Sequence, residues 1–146
     1  MKSLWLIFLL YAIVANCSSK SVLNLESSEP RDGATGVKID TSITLKFNSI
    51  LNAGSLAVQS ENGTCSGSIQ LSSDSFANCL AINLKTESNP SIVATPVNAL
   101  SYSSQYAVKI TTAIKNADDK SVSTEKTLTF NTETGMVILV PKGIAE

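Results

Sequence analysis

Thr41-Ser42-Ile43-Thr44-Leu45-Lys46-Phe47-Asn48 alternates without a break between apolar and polar side chains. A period of two puts Ile43, Leu45 and Phe47 on one face and Ser42, Thr44, Lys46 and Asn48 on the other, the mark of a strand with one side buried and one in water. An antiparallel sheet covered on a single face produces that pattern. The same period recurs at Leu80, Ile82 and Leu84, again at Tyr106, Val108 and Ile110, and at Leu128 and Phe130. Leu56 and Val58 mark a shorter strand over residues 55–60. Ile92, Val93 and Val97 flank Thr95-Pro96, and a proline inside such a run predicts an edge or irregular strand.

Turn chemistry separates these runs. Pro30, Asp32-Gly33 and Gly36 form one cluster, Asn52-Ala53-Gly54 and Glu61-Asn62-Gly63 form two more, and Asn116-Ala-Asp-Asp-Lys120 forms another. Residues 22–25 contain a short apolar stretch that reads as the first strand, and no helical period lasts beyond two turns. Seven to nine short strands with turns every 8–12 residues predict an all-β protein, an antiparallel β-sandwich.

Composition narrows the function. The chain has 146 residues, 11 Lys and Arg against 12 Asp and Glu, and no His. That length supports one domain. The charge balance lacks the basic face expected of a nucleic-acid binder. Without His, the Ser-His-Asp and Cys-His catalytic sets are excluded. The 22 Ser, 13 Thr and 11 Asn suit strands and turns. The hydroxyls have no evident base to activate them, and no acidic pair sits in a glycosidase frame. The sequence therefore predicts no enzyme, no catalytic residue, no metal and no cofactor.

The N-terminus predicts export. Lys2 precedes the twelve apolar residues 4–15, followed by Asn16-Cys17-Ser18. A twelve-residue helix is about 18 Å long, short of the roughly 30 Å bilayer core. The layout is that of a secretory signal over residues 1–16. Val14-Ala15-Asn16-Cys17 resembles a bacterial lipobox, with Asn16 departing from the usual Gly or Ala. The resemblance implies that Cys17 carries lipid, that residues 17–21 form a short tether, and that the membrane is the first partner.

With Cys17 assigned to lipid, Cys65 and Cys79 remain, an even number in an exported chain. A symmetric hairpin centred on Ser72 would set them opposite each other and close a disulfide. The competing metal or redox pair lacks His, a third thiol and a CxxC spacing.

Taken in order, the motifs resemble the SbsA-type bacterial Ig-like domain. They are Pro30-x-Asp32-Gly33-Ala34-Thr35-Gly36-Val37, Ile43-x-Leu45-x-Phe47-Asn48, Thr95-Pro96, Leu100-x-Tyr102, Tyr106-x-Val108-x-Ile110 and Leu128-Thr129-Phe130-Asn131-Thr132. Asp118-Asp119-Lys120 stands where that family often has a Gly. The segment between Cys65 and Cys79 looks like a version found in spirochaete surface lipoproteins. The resemblance implies an Ig-like sandwich over residues 22–134, used as a spacer, adhesion or assembly module outside the cell, with residues 135–146 as a tail. By analogy with Ig-type folds, Tyr106 is a tyrosine corner, its hydroxyl bonded to backbone.

Asp32, Asp40, Asp118 and Asp119 read as turn residues rather than Ca²⁺ ligands, and the Asn62-Gly-Thr64 sequon reads as a turn. Met136-Val-Ile-Leu-Val140 is apolar without alternation and is expected to pair as a last strand or dock on a partner. The functional expectation is a lipid-anchored envelope protein at the outer membrane or cell surface, with an extracellular or envelope protein as ligand and no small-molecule substrate. The competing expectation is a periplasmic accessory that captures a protein along a strand edge.

Overall fold

The computed structural model describes residues 22–86 and 88–135. The expected signal over residues 1–16, Cys17, the expected tether over 17–21 and the expected strand-forming or docking segment at 136–140 lie outside the described residues. Among the described residues eight strands form two four-stranded sheets packed face to face. The first sheet has the order β1 (Leu25–Glu29), β3 (Ile43–Phe47), β6 (Ser91–Pro96), β5 (Ile82–Thr86). The second has β2 (Ala34–Val37), β8 (Lys126–Thr132), β7 (Gln105–Ile110), β4 (Ile69–Ser72).

The alternation in the sequence is the alternation of the core. Ile43, Leu45 and Phe47 are buried from the first sheet, with Ile82, Ile92 and Ala94 beside them. Ile69, Leu71, Tyr106, Val108, Ile110, Leu128 and Phe130 face them from the second. Each large apolar side chain fully buried there contributes about 1.5–3 kcal/mol.

Five expectations need correction. First, the sandwich is not wholly antiparallel: β2 runs parallel to β8, Ala34 opposite Phe130 and Val37 opposite Thr132. Gly33 and Gly36 take φ of 77° and 69°, and the Gly33 N–H already reaches the Thr129 carbonyl at 2.7 Å. The cluster read as a turn thus delivers the chain straight onto β8. Second, β6 is an interior strand between β3 and β5. Pro96 sits at its last position, where the chain leaves the ladder and Val97 supplies the next N–H to the Ala81 carbonyl.

Third, residues 55–60 form no strand. Ala53–Ser55 is a 3₁₀ turn, and the extended residues after it lean on β4 through single groups. The Ala57 carbonyl accepts both Ser68 and Ile69 N–H groups, and the Ser68 hydroxyl takes the Ala57 N–H. Fourth, residues 66–78 are not a hairpin centred on Ser72. β4 pairs with β7, Ile69 opposite Ile110 through Ser72 opposite Ala107, and the chain reverses afterwards. Fifth, the first strand begins at Leu25. Leu23, fully buried, makes an isolated parallel bridge to Val122, joining the segment before β1 to the loop before β8.

The register also gives the sandwich two distinct ends. Leu25 opposite Phe47, Ile110 opposite Lys126 and Leu23 opposite Val122 define one. Ile43 opposite Ala94, Gln105 opposite Asn131 and Val37 opposite Thr132 define the other. The described chain enters at the Leu25 end and leaves, after Thr132, at the opposite end.

Candidate functional site

Tyr106 begins the inward series of β7 and is 4 % exposed. Its ring stacks on Phe130 with centroids 5.8 Å apart, and its hydroxyl accepts the Ser101 N–H at 2.9 Å. Thr132 closes the same corner: its hydroxyl donates to the Ser101 carbonyl at 2.7 Å and accepts the Ser104 N–H at 3.0 Å. These contacts fold the loop before β7 back onto the end of the sandwich.

Cys65 and Cys79 are joined, with Cα atoms 4.8 Å apart. Neither thiol is therefore free to act as a nucleophile or metal ligand. Opposite Cys79 in the backbone stands Gly63, not Cys65: Cys79 and Gly63 exchange both N–H···O bonds, at 2.7 and 3.0 Å. Gln59 lies beneath this junction, 8 % exposed. Its amide nitrogen reaches the carbonyls of Glu61, Gly63 and Cys79, and its carbonyl oxygen takes the Ser66 N–H. Asn62 adds a link across the loop by accepting the Ala81 N–H at 2.7 Å.

The reversal after β4 is held by its own side chains. The Ser72 hydroxyl accepts N–H groups from Asp74 and Phe76 and donates to the Asp74 carboxylate at 2.8 Å. Asp74 in turn accepts the Asn78 N–H and side-chain amide, each at 2.9 Å. The Asn78 N–H, then the Asn78 amide and the Ser72 hydroxyl, hold its carboxyl at a pKa of about 2, against an ordinary value of 3.8. Ser75 and Phe76 take φ of 59° and 66°, and Phe76 lies under the Lys109 ammonium, 4.1 Å from its ring centroid. Between this loop and the outer face of β7 and β8 is a shallow hollow of about 250 Å³, lined by Ser72, Ser75, Phe76, Gln105, Thr127 and Thr129. Its lining includes hydroxyls and amides but no carboxylate.

The remaining candidates sit in turns. Asp32 accepts the Thr129 N–H at 2.8 Å and so fastens the β2 approach to β8. Asp119 pairs with Lys115 at 2.9 Å, while Asn116, buried beneath that turn, accepts N–H groups from Asp118 and Lys120. Asp40 is exposed between β2 and β3. Among the described residues no three His, Cys, Asp or Glu side chains come together as a metal group. The sequence singles out neither Gln59 nor Asp74, and it marks Ser72 and Asn116 only as a hairpin midpoint and a turn residue. Most of their partners are backbone groups, which leave no periodic trace; only the Asn-x-Asp and Ser-x-Asp spacings hint at Asn116, Ser72 and Asp74.

The described residues thus form an Ig-type sandwich whose long loops are pinned by a disulfide and by side-chain-to-backbone bonds. The chain belongs to the bacterial Ig-like domain family, whose model matches residues 19–132. No curated protein matches the sequence. Among solved structures, the N-terminal part of the bacterial S-layer protein SbsC is similar at a TM-score of 0.55 and 14 % identity, over 79 % of this chain and 24 % of that one. This chain therefore spans about a quarter of that N-terminal part. CopC from Methylosinus trichosporium OB3b is similar at a TM-score of 0.58 and 13 % identity, over 80 % of this chain and 98 % of CopC. PcoC, a methionine-rich copper resistance protein from Escherichia coli, reaches 0.54 and 18 %, over 77 % of this chain and all of PcoC. At these identities the likeness is one of fold.

Proposed function

We propose that this chain is a lipid-anchored bacterial envelope protein whose single Ig-like domain is a non-catalytic structural, adhesion or interaction module at the outer membrane or cell surface. The observation that carries it is the order of segments: a basic start, twelve apolar residues and Cys17, leading directly into a bacterial Ig-like domain. The likeness to an S-layer protein supports a structural role. Copper handling of the kind named for PcoC is disfavoured by chemistry: this chain has two Met and no His, so it is poor in the soft thioether and imidazole ligands that copper takes. The test is incorporation of labelled palmitate in cells, followed by protease access on intact and permeabilised cells. Labelling lost in Cys17→Ala supports the anchor, and cleavage on intact cells supports the surface; no labelling of the native chain sinks the reading.

A second reading, capture of a periplasmic protein along a strand edge, is favoured by β5. The Ile82 N–H, on the outer side of β5, goes to the Gln59 carbonyl. Strand alternation turns the backbone groups of Leu84 and Thr86 to that same side, where no further strand pairs with β5 among the described residues. A defined envelope complex lost in Leu84→Pro would support this reading, and retention would count against it.

A further inference from the structure

We infer that the domain stands on the membrane on its Leu25 end, with Val22 and Ile50 meeting the lipid surface and the Tyr102 end directed away from it. This rests on the anchored reading above and adds the face that touches lipid. Cys17 and Val22 are five residues apart, so their Cα atoms are separated by at most about 17 Å. β8 alone, at seven residues, runs for about 23 Å along the sandwich. The tether is therefore too short to let the domain turn its other end to the membrane.

The Leu25 end is built for contact with an apolar boundary. Val22 is 54 % and Ile50 59 % exposed. They are held at this end by backbone bonds: the Val22 carbonyl accepts the Asn48 side-chain amide at 2.8 Å, and the Ile50 carbonyl accepts the Ala117 N–H at 2.9 Å. Asp118, Asp119 and Glu125 on the same end are matched by Lys115, Lys120 and Lys126, so no excess of acidic charge repels anionic headgroups. The other end also exposes apolar groups, Val97 and Tyr102. Exposure alone does not choose between the ends; the position of the tether does. Apolar side chains beside an acyl anchor add to its hold by entering the interfacial layer. The arrangement leaves the Tyr106 corner and residues 97–104 facing outward.

The test is amine footprinting of the full lipidated protein in phosphatidylethanolamine–phosphatidylglycerol vesicles and in detergent. Lys120 lies on the lipid-facing end, its carbonyl accepting the N–H of Asn116 next to the Ala117 that bonds Ile50, and Lys38 lies at the opposite end, next to the Val37–Thr132 pairing. The expected result is that vesicles slow the labelling of Lys120 severalfold and leave Lys38 unchanged, and that Val22→Asp with Ile50→Asp restores Lys120. Both positions are exposed, so the variants keep the fold. Equal labelling of the two lysines, with the protein still pelleting with vesicles and carrying palmitate, overturns the inference and leaves the anchor intact. Equal protection of both lysines indicates a domain lying on its side and overturns it as well. Absence of palmitate overturns the anchor and the inference together.

Discussion

The Tyr106 hydroxyl accepts the backbone N–H of Ser101, five residues upstream, at 2.9 Å. The same Ser101 gives its carbonyl to the Thr132 hydroxyl at 2.7 Å. One residue of the loop before β7 is thus gripped on both sides by side chains of two neighbouring strands. Tyr106→Phe keeps the ring on Phe130 and leaves a part-buried N–H without its acceptor. The expected cost is about 1–2 kcal/mol in urea unfolding. Thr132→Val removes the other grip, and because both act on Ser101 the two losses should not add. A double-mutant cycle with a coupling of about 0.5 kcal/mol or more is expected; simple additivity would mean that the two grips hold independently.

The disulfide closes a loop of 14 residues in sequence. In the chain-entropy account a loop of this size is stabilised by about 3 kcal/mol through restriction of the unfolded chain. Cys65→Ser with Cys79→Ser should lower the unfolding free energy by about that amount while the far-UV circular dichroism stays native. An unchanged melting temperature would mean that Gln59 and the Gly63–Cys79 backbone pair hold the loop without the covalent link.

The parts of this fold that were legible in the sequence are those whose side chains answer to burial. Ile43, Leu45 and Phe47 are inward because a period of two admits no other face for them, and the series from Tyr106 to Ile110 follows the same rule. The misread parts depend on partners distant in sequence. Pro96 looks like an edge residue until Ala81 is seen accepting the next N–H. Residues 66–78 look like a hairpin because nothing local reveals that β4 pairs with β7. Tyr106 and the two cysteines stood out by residue type and family motif. Gln59 did not, since a buried amide serving four backbone groups resembles any surface glutamine in a string of letters.

Gln59 is therefore the position where sequence and structure differ most in what they lead one to expect. Its side chain lies within reach of the Glu61, Gly63 and Cys79 carbonyls and accepts the Ser66 N–H. Gln59→Leu leaves the Glu61 carbonyl and the Ser66 N–H without this partner, while the Gly63 and Cys79 carbonyls keep each other's N–H; the expected cost is about 1–3 kcal/mol for each of the two groups that water does not reach. Gln59→Glu should be worse at pH 7 than at pH 4. The ionised carboxylate faces three carbonyl oxygens with no proton to offer, whereas the protonated acid regains one donor. Equal destabilisation at both pH values would show that the junction opens to solvent when the amide is lost.

Asp74 gives the fold a dependence on acid with a definite sign. Its carboxyl titrates at about 2 in the folded chain, against an ordinary value of 3.8, chiefly because the Asn78 N–H, the Asn78 amide and the Ser72 hydroxyl all bond the charged form. A folded-state pKa below the unfolded one means that the unfolded chain binds the proton more readily. The contribution of Asp74 is therefore complete above pH 3.8 and fades as the pH falls through about 2. Asp74→Ala should lower the urea midpoint by a constant amount from pH 7 to pH 5, and the difference from the native chain should shrink steadily towards pH 2. Although the carboxylate is exposed, salt should not abolish the effect: three directed hydrogen bonds carry it, rather than a distant charge that ions could screen. A gap that stays constant down to pH 2 would show that the protonated carboxyl serves as well as the charged one, and no gap at any pH would show that the loop is held by Ser72 alone. The bonds from Ser72 to Asp74 and Phe76 would then be enough to keep Phe76 beneath Lys109.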